Sequence, residues 1–189
     1  MEVKMKVYVK SISLFSKPAK TVKPVAKVSL VDLYKLIIGD KYKKVTEELR
    51  SFENPNVKRD YKENNFDFFT GSGIFPYRAD DALKYHSEYI VIDLDHLKDA
   101  LSETMAKLIS DDNLYVLLMF VSPSGDGLKV VYGIDLSEGG HRKWFKAIRN
   151  YLRETYNLEA DPSGINESRT CFLTHDPECY ACKEIRELI

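Results

Sequence analysis

The sequence lacks any uninterrupted apolar run of about 18 residues, the length that a membrane-spanning helix requires, so we expect no membrane segment. Its N-terminal stretch, MEVKMKVYVKSISLF, alternates charged and apolar residues and lacks the continuous apolar core of a signal peptide. Cysteine is also scarce: 3 residues, all near the C-terminal end, are too few for a disulfide framework. These absences predict a cytoplasmic protein.

The chain has almost no net charge, with a formal value of −1 at pH 7, but the two signs are unevenly distributed. Residues 1–62 contain 15 Lys and Arg against 7 Asp and Glu, whereas residues 63–189 contain 13 against 22. A basic segment beside an acidic remainder is typical of a protein that binds a polyanion near a metal site. A solvated lysine-rich face would have the same composition, so charge alone leaves both interpretations open.

A chain of 189 residues suits one domain with a small extension. We predict a basic N-terminal α/β subregion at residues 1–65, packed on a core at residues 66–189 to form one compact domain. The subregion begins with a predicted strand at residues 6–15. Helices are predicted at residues 29–39 and 40–53, and a charged segment follows them.

The core shows elements in the order β-α-β-β-α-β, the ferredoxin-like or RRM-like pattern. We therefore predict an α+β fold with this module at about residues 88–175. In this fold the first strand lies between the third and the fourth, and both run antiparallel to it. The predicted strands cover residues 89–95, 114–121, 128–134 and 170–174, and the predicted helices cover residues 98–110 and 141–156.

Two carboxylates end the first core strand, in the segment EYIVIDLDHL. Asp93 and Asp95 are two residues apart, so they point to the same face of the strand. The predicted strand order brings Asp161 beside them, and three carboxylates form an oxygen site that suits Mg²⁺ or Mn²⁺. Two such ions are the usual arrangement for phosphoryl transfer. The alternative is that Asp95 caps the following helix and Asp93 forms a salt bridge with Lys129.

The turn SPSGDG after the second core strand has the composition of an anion-binding turn. Its candidate phosphate-binding groups are the hydroxyls of Ser122 and Ser124 and the backbone amides around Gly125 and Gly127. Lys129 begins the next strand and adds a positive charge, as lysines do at phosphate sites. The same residue types are common in ordinary turns, so a plain hairpin loop is the alternative.

Arg169 is the second candidate cation, at the end of the segment ADPSGINESR. Its planar guanidinium suits a triphosphate or a backbone phosphate. The alternative is an ion pair with Asp161 or Glu167.

Four potential zinc ligands lie near the C-terminal end, namely Cys171, His175, Cys179 and Cys182. Their spacing, C-x₃-H-x₃-C-x₂-C, is more compact than that of the usual zinc fingers. Cys171 lies in a predicted strand, where cysteine usually acts as a small buried apolar residue. We therefore do not expect zinc at these residues.

Four motifs, in order, resemble the VirE N-terminal-domain family of Bacteroides-type bacteria and mobile elements. That family in turn resembles the primase-polymerase domains of the archaeo-eukaryotic primase superfamily, whose core is an RRM-like module. The resemblance implies a metal-dependent nucleotidyltransferase of a mobile-element or plasmid replication protein. The motifs, which extend from about Phe66 to Tyr180, are FFTGSGIFPYR, SEYIVIDLDHL, FVSPSGDGLKVVY and DPSGINESRTCFLTHDPECY.

The resemblance assigns metal binding to the three aspartates and binding of the incoming nucleotide to Arg169. It places Ser124 and Lys129 in the region of the superfamily's second motif, but the histidine of that motif is absent here and Lys129 stands at the corresponding strand start. The implied partners are a nucleoside triphosphate, a single-stranded or primed nucleic acid, and a helicase-like region C-terminal to this domain.

Two further functions are compatible with the same residues. One is a non-catalytic nucleic-acid-binding module with a vestigial metal site, and the other is a ferredoxin-like regulatory domain that senses a nucleotide. The absent histidine favours these two functions, whereas three aspartates together with Lys129 and Arg169 favour catalysis. Several aromatic residues either stack single-stranded bases or pack in the core: Phe66, Phe68, Phe69, Phe75 and Tyr77.

Overall fold

A computed structural model describes residues 10–189. This part of the chain is α+β, as predicted, with six α-helices and three antiparallel sheets. The helices are α1 (Leu30–Ile38), α2 (Lys43–Ser51), α3 (Pro55–Asn65), α4 (Leu101–Ile109), α5 (His141–Tyr156) and α6 (Lys183–Arg186). The strands are β1 (Ile12–Phe15), β2 (Ala26–Val28), β3 (Phe68–Thr70), β4 (Gly73–Ile74), β5 (Tyr85–His86), β6 (Tyr89–Leu94), β7 (Val116–Val121), β8 (Leu128–Gly133), β9 (Cys171–Phe172) and β10 (Tyr180–Ala181).

The central sheet has the strand order β10-β7-β8-β6. β6 and β8 pair antiparallel along their full lengths, from Tyr89 opposite Gly133 to Leu94 opposite Leu128. α4 follows β6 and α5 follows β8, so the first five elements of the predicted core occur in the predicted order. The prediction that the third core strand lies beside the first is confirmed.

The predicted ferredoxin-like order was wrong at its fourth strand. The observed part of that segment, β9, pairs with β3 in a second sheet of order β2-β1-β3-β9. The ring of Phe172 in β9 packs edge-on against Phe68 in β3, with centroids 6.1 Å apart, and this aromatic contact favours the pairing of β9 with β3. Beside the end of β6 lies instead the preceding segment, in which Ala160 forms an isolated antiparallel bridge with Leu94.

The second sheet contains strands from both sides of the predicted boundary between residues 65 and 66. β1 and β2 come from the N-terminal subregion, and β3 and β9 from the predicted core. The rings of Phe15 in β1 and Phe68 in β3 stack with centroids 4.9 Å apart, and both residues are fully buried. Such burial is a main source of folding stability. The division into subregions stays a prediction, and residues 6–9 of the predicted first strand lie outside the described residues.

Both faces of the central sheet are covered. Ile90 and Ile92 of β6 pack into a hydrophobic cluster with α4 and α5, whereas Tyr89 and Val91 pack into another with α1 and the second sheet. Because side chains alternate along a strand, Asp93 continues the face of Tyr89 and Val91. The polar site therefore lies at the end of the apolar layer between the two sheets.

Local sequence explains where two helices begin. Ser29 caps α1 in a capping box, in which its hydroxyl accepts from the Asp32 N–H and its own N–H donates to the Asp32 carboxylate. Asn54 caps α3, and Pro55 is the first residue of that helix.

The predicted helix at residues 40–53 is a short 3₁₀ turn followed by α2. None of the helices in residues 10–189 is long and apolar enough to cross a membrane.

Candidate metal and phosphate site

Asp93, Asp95 and Asp161 lie together at the end of β6 and form a carboxylate cluster. One carboxylate oxygen from each residue lies within 4.8 Å of the others. The Asp161 N–H donates to the Asp93 carbonyl oxygen at 2.9 Å, directly after the bridge between Ala160 and Leu94. The structure thus brings the three predicted aspartates together, although a different segment from the predicted fourth strand positions Asp161.

The carboxylate cluster fits a divalent cation. Oδ1 of Asp93 is buried and has no hydrogen-bond partner among the described residues. A buried oxygen that lacks a partner is costly and calls for a ligand. Asp95 is exposed, so the cluster is open to solvent on one side. Carboxylate oxygens are the ligands that Mg²⁺ and Mn²⁺ prefer.

The excess of negative charge perturbs the protonation of the cluster. Burial raises the pKa of Asp93 above its ordinary value, and repulsion by Asp95 and Asp161 adds to this, although Lys129 opposes it. Burial also disfavours the charged form of Asp161, but hydrogen bonds from Ser163 and the positive charges of the site outweigh it and lower the pKa of Asp161. A bound divalent cation would therefore offset the repulsion of Asp93 by Asp95 and Asp161.

Lys129 lies directly opposite Asp93 in the pairing of β6 with β8. Its ammonium contacts Oδ2 of Asp93, and the two side chains are only 11% and 20% exposed. Burial alone would lower the pKa of Lys129, but attraction to the carboxylates of Asp93 and Asp95 outweighs burial and raises it, so the ammonium stays charged. The salt bridge considered as an alternative is therefore present, whereas α4 and the 3₁₀ turn before it have no side-chain cap from Asp95.

Arg169 forms an ion pair with Asp161. Its Nη2 lies 2.9 Å from Oδ2 of Asp161, which is the ion pair considered as an alternative. The Arg169 side chain is half exposed. Because a guanidinium has five N–H donors, this contact leaves donors for a further anion.

The SPSGDG turn is held together by its own hydrogen bonds. The Ser124 hydroxyl donates to Oδ1 of Asp126 at 2.7 Å and lies 3.1 Å from the Ser122 hydroxyl. Gly125 has a φ of +85°, which favours glycine, and its N–H donates to the Ser122 carbonyl oxygen. At Gly127, a Cβ atom would lie 2.5 Å from the carbonyl oxygen of residue 94. The turn therefore approaches the end of β6 closely, and the hydroxyls have partners within the turn.

Arg50 of α2 holds this turn from outside, and sequence reasoning missed it. Its Nε donates to the Pro123 carbonyl oxygen at 3.2 Å and its Nη2 to the Ser122 carbonyl oxygen at 3.3 Å. Arg50 precedes the turn by more than seventy residues, and its local sequence carries no signal for the contact.

A cleft of about 570 Å³ opens beside the carboxylate cluster, and Asp93, Ser124 and Phe172 line part of it. Two acidic side chains, those of Glu63 and Asp93, face six basic ones in the lining. A cleft of this size accommodates a nucleotide-sized ligand, and its charge favours an anion. The six basic residues are Lys58, Arg59, Lys62, Arg78, Lys129 and Arg169.

A histidine pair lies near the carboxylate cluster, and His141 lines a cavity of about 30 Å³ that Asp93 and Lys129 also line. Nε2 of His86 is 3.2 Å from Nδ1 of His141, and Nδ1 of His86 accepts from the Glu88 N–H. This pattern fits two neutral rings, with His86 donating to His141. Burial and the neighbouring ring lower the pKa of His86 to about 4, and burial likewise lowers the pKa of His141.

The four residues of the C-terminal Cys/His motif have separate surroundings. The cysteines are free and buried, and Nδ1 of His175 lies 2.9 Å from the Gly39 carbonyl oxygen. Within residues 10–189, the carboxylate cluster is the one group of potential metal ligands whose ligand atoms lie close to one another.

Of the aromatic residues predicted either to stack on bases or to pack in the core, Tyr77 is 50% exposed and the others are buried.

Comparison with protein families identifies the chain by its core. The model of one family, described as "BT4734-like, N-terminal domain", matches residues 61–180. No curated protein and no solved structure matches the chain. The matched segment begins within α3, ends in β10, and includes the carboxylate cluster with Lys129 and Arg169. Since it covers more than half of the sequence, the chain belongs to the BT4734-like N-terminal domain family.

Proposed function

We propose that this domain is a primase-polymerase-like nucleotidyltransferase that binds a nucleoside triphosphate with Mg²⁺ or Mn²⁺ and extends a nucleic-acid strand. The observation that carries the proposal is the carboxylate cluster, whose oxygens lie within 4.8 Å of one another beside a cleft rich in basic residues. The resemblance of the motifs to VirE N-terminal domains, and of those to archaeo-eukaryotic primases, supports the same reaction class.

The carboxylate cluster would hold the divalent ions. Such ions lower the pKa of an attacking hydroxyl and offset the charge of a leaving pyrophosphate. In the reaction, the 3′-hydroxyl oxygen of the strand bonds to the α-phosphorus, the bond to pyrophosphate breaks, and the hydroxyl proton passes to solvent.

Lys129 and Arg169 would bind the phosphates of the nucleotide. In the structure they neutralise Asp93 and Asp161. A metal counter-ion at those carboxylates would leave the two basic side chains free to bind the triphosphate, beside the hydroxyl of Ser124. Lysine binds phosphate as a point charge and arginine through its planar fork.

The biological setting that we propose is the replication of a mobile element or plasmid, with a helicase-like region as the partner. The second candidate function is a non-catalytic nucleic-acid-binding module. The ion pair between Lys129 and Asp93 favours it, because the cluster is already partly neutralised by the protein's own cations. The histidine missing from the second motif favours it as well.

Extension of a primed single-stranded template with Mn²⁺ separates the two functions. The wild-type domain should extend the primer, and Asp93→Asn/Asp95→Asn should abolish extension while strand binding persists, because two-metal chemistry needs every ligand. Asp99→Asn removes the charge of an exposed residue outside the cluster and should leave extension unchanged. Salt-dependent strand binding without extension by the wild type would favour the non-catalytic module.

A further inference from the structure

Helix α3 forms the wall of the cleft that faces the carboxylate cluster. It has 11 residues, and none of them is fully buried, so most of its charged side chains lie at the surface, although the ring of Tyr61 packs against Phe66. Lys58 and Lys62 are four residues apart and therefore share one face of the helix, separated by about one turn of 5.4 Å. Both line the cleft, and we call this pair the α3 wall.

Lys62 is the central residue of the α3 wall. Its ammonium lies 5.5 Å from the ring centroid of Phe172, and no carboxylate of the described residues forms an ion pair with it. Burial and the nearby charge of Lys129 lower the pKa of Lys62, although Asp93 and Asp95 oppose this. A half-buried lysine near a second positive charge gains from an anion bound beside it.

Arg59, the third basic residue of α3, differs from the α3 wall. It forms an i,i+4 ion pair with Glu63 at 3.1 Å and is exposed. Its charge is therefore largely compensated within the helix. Lys58 and Lys62, which have no such partner among residues 10–189, are the cations of α3 that remain for a ligand.

We propose that the α3 wall binds backbone phosphates of a single nucleic-acid strand, while the carboxylate end of the cleft takes the metal-bound nucleotide. Two observations favour a strand over the triphosphate. Lys129 and Arg169 already provide the cations nearest the carboxylates. The rim along α3 includes the exposed residues Pro55 and Glu63, so the cleft is open along the helix, as a continuing chain requires. The partly buried ring of Phe172 lies beneath the Lys62 ammonium and lines the same cleft, where it can contact a base or sugar of the strand.

This inference rests on the proposed function for the ligand at the carboxylate end, but the strand contact can be measured separately. Lys62→Met removes the charge and keeps an unbranched apolar stem against Phe172. Lys146→Met, on an exposed position of α5 outside the cleft, is the matched control. Fluorescence anisotropy of labelled DNA and RNA oligonucleotides, titrated over a range of salt concentrations, reports each strand contact.

Loss of one phosphate contact should reduce the slope of log K against log salt by about 0.7 for a single strand. We expect this change, with binding weakened about tenfold at low salt, for Lys62→Met and not for Lys146→Met. Calorimetric binding of a nucleoside triphosphate with Mn²⁺ should be unchanged by Lys62→Met. Lys58→Met should give the same change in slope. It provides the test if Lys62→Met does not fold, because the contact with Phe172 is made by Lys62 and is kept in this variant.

Three results would overturn the assignment. They are an unchanged salt slope for both variants, a loss of nucleotide binding with strand binding intact, and no strand binding by the wild type. A domain that shows the expected slopes but neither binds the nucleotide nor extends a primer would contradict the proposed function and leave the strand-binding wall supported.

Discussion

The ammonium of Lys129 contacts the carboxylate of Asp93 across the pairing of β6 with β8, where neither side chain is more than one-fifth exposed. This ion pair neutralises Asp93 before any ligand is present. It also leaves Oδ1 of Asp93 without a partner. The ion pair thus links the stability of the fold to the chemistry of the site.

Lys129→Met should destabilise the domain, because it leaves Asp93 largely buried without its counter-ion. Breaking a buried pair costs about 3–5 kcal/mol, and we expect about 3 kcal/mol since Asp93 keeps some contact with solvent. Urea denaturation measures the loss. Mn²⁺ should restore stability to Lys129→Met more than it stabilises the wild type, because the ion replaces the lost charge. An unchanged unfolding midpoint would show that the pair contributes nothing.

Gly127→Ala should distort the carboxylate cluster. The added Cβ would lie 2.5 Å from the carbonyl oxygen of Leu94 and 3.2 Å from Cα of Asp95, and backbone atoms have little freedom to move away. We expect a loss of stability of about 1–3 kcal/mol, together with weaker binding of Mn²⁺ by calorimetry. Gly140→Ala is the control, since its Cβ would meet nothing within 4 Å. Equal behaviour of the two variants would refute the close approach of the turn to β6.

Arg50→Met should loosen the SPSGDG turn. It removes the hydrogen bonds to the carbonyl oxygens of Pro123 and Ser122, and we expect a loss of about 1 kcal/mol of stability. Hydrogen exchange of the turn amides should become faster, whereas that of α5 should not change. Lys44→Met, an exposed position on the same helix, should have neither effect. Unaltered exchange in Arg50→Met would mean that the turn is held without this residue.

The histidine pair should make stability depend on pH. The pKa of His86 is about 4 in the folded state, below its ordinary value of 6.5. Above pH 6.5 the ring is neutral in both states. As the pH falls from 6.5 towards 4, the unfolded state binds the proton first, so the free energy of unfolding decreases. Because part of the ring is exposed, solvent screening limits this loss to about 1–2 kcal/mol.

His86→Gln, which does not titrate, tests this dependence. Its free energy of unfolding should fall less steeply than that of the wild type between pH 6.5 and 4. Above pH 7 the two curves should run parallel. Identical slopes throughout would show that protonation of His86 is not coupled to folding.

Several features of this protein follow from short-range sequence alone. The apolar run from Tyr89 to Ile92 predicts a strand, and the spacing of Asp93 and Asp95 predicts their shared face, because side chains alternate along any strand. Ser29, a residue type that favours a helix start, and the turn residues before Lys129 likewise predict α1 and the β7–β8 hairpin. These features depend on a few neighbouring residues, whose preferences do not change with the rest of the fold.

The tertiary structure decided which distant segments meet. β9 has only 2 residues, too few to determine a partner, and it pairs with β3 in the second sheet, where Phe172 packs on Phe68. Asp161 reaches the site through one bridge beside β6, and Arg50 and Lys62 reach it from helices of the N-terminal third. No local pattern encodes these contacts, because they depend on how the two sheets and α3 pack against one another. The sequence by itself therefore determined the strand that carries Asp93 and Asp95, and the packing of the fold decided what surrounds them.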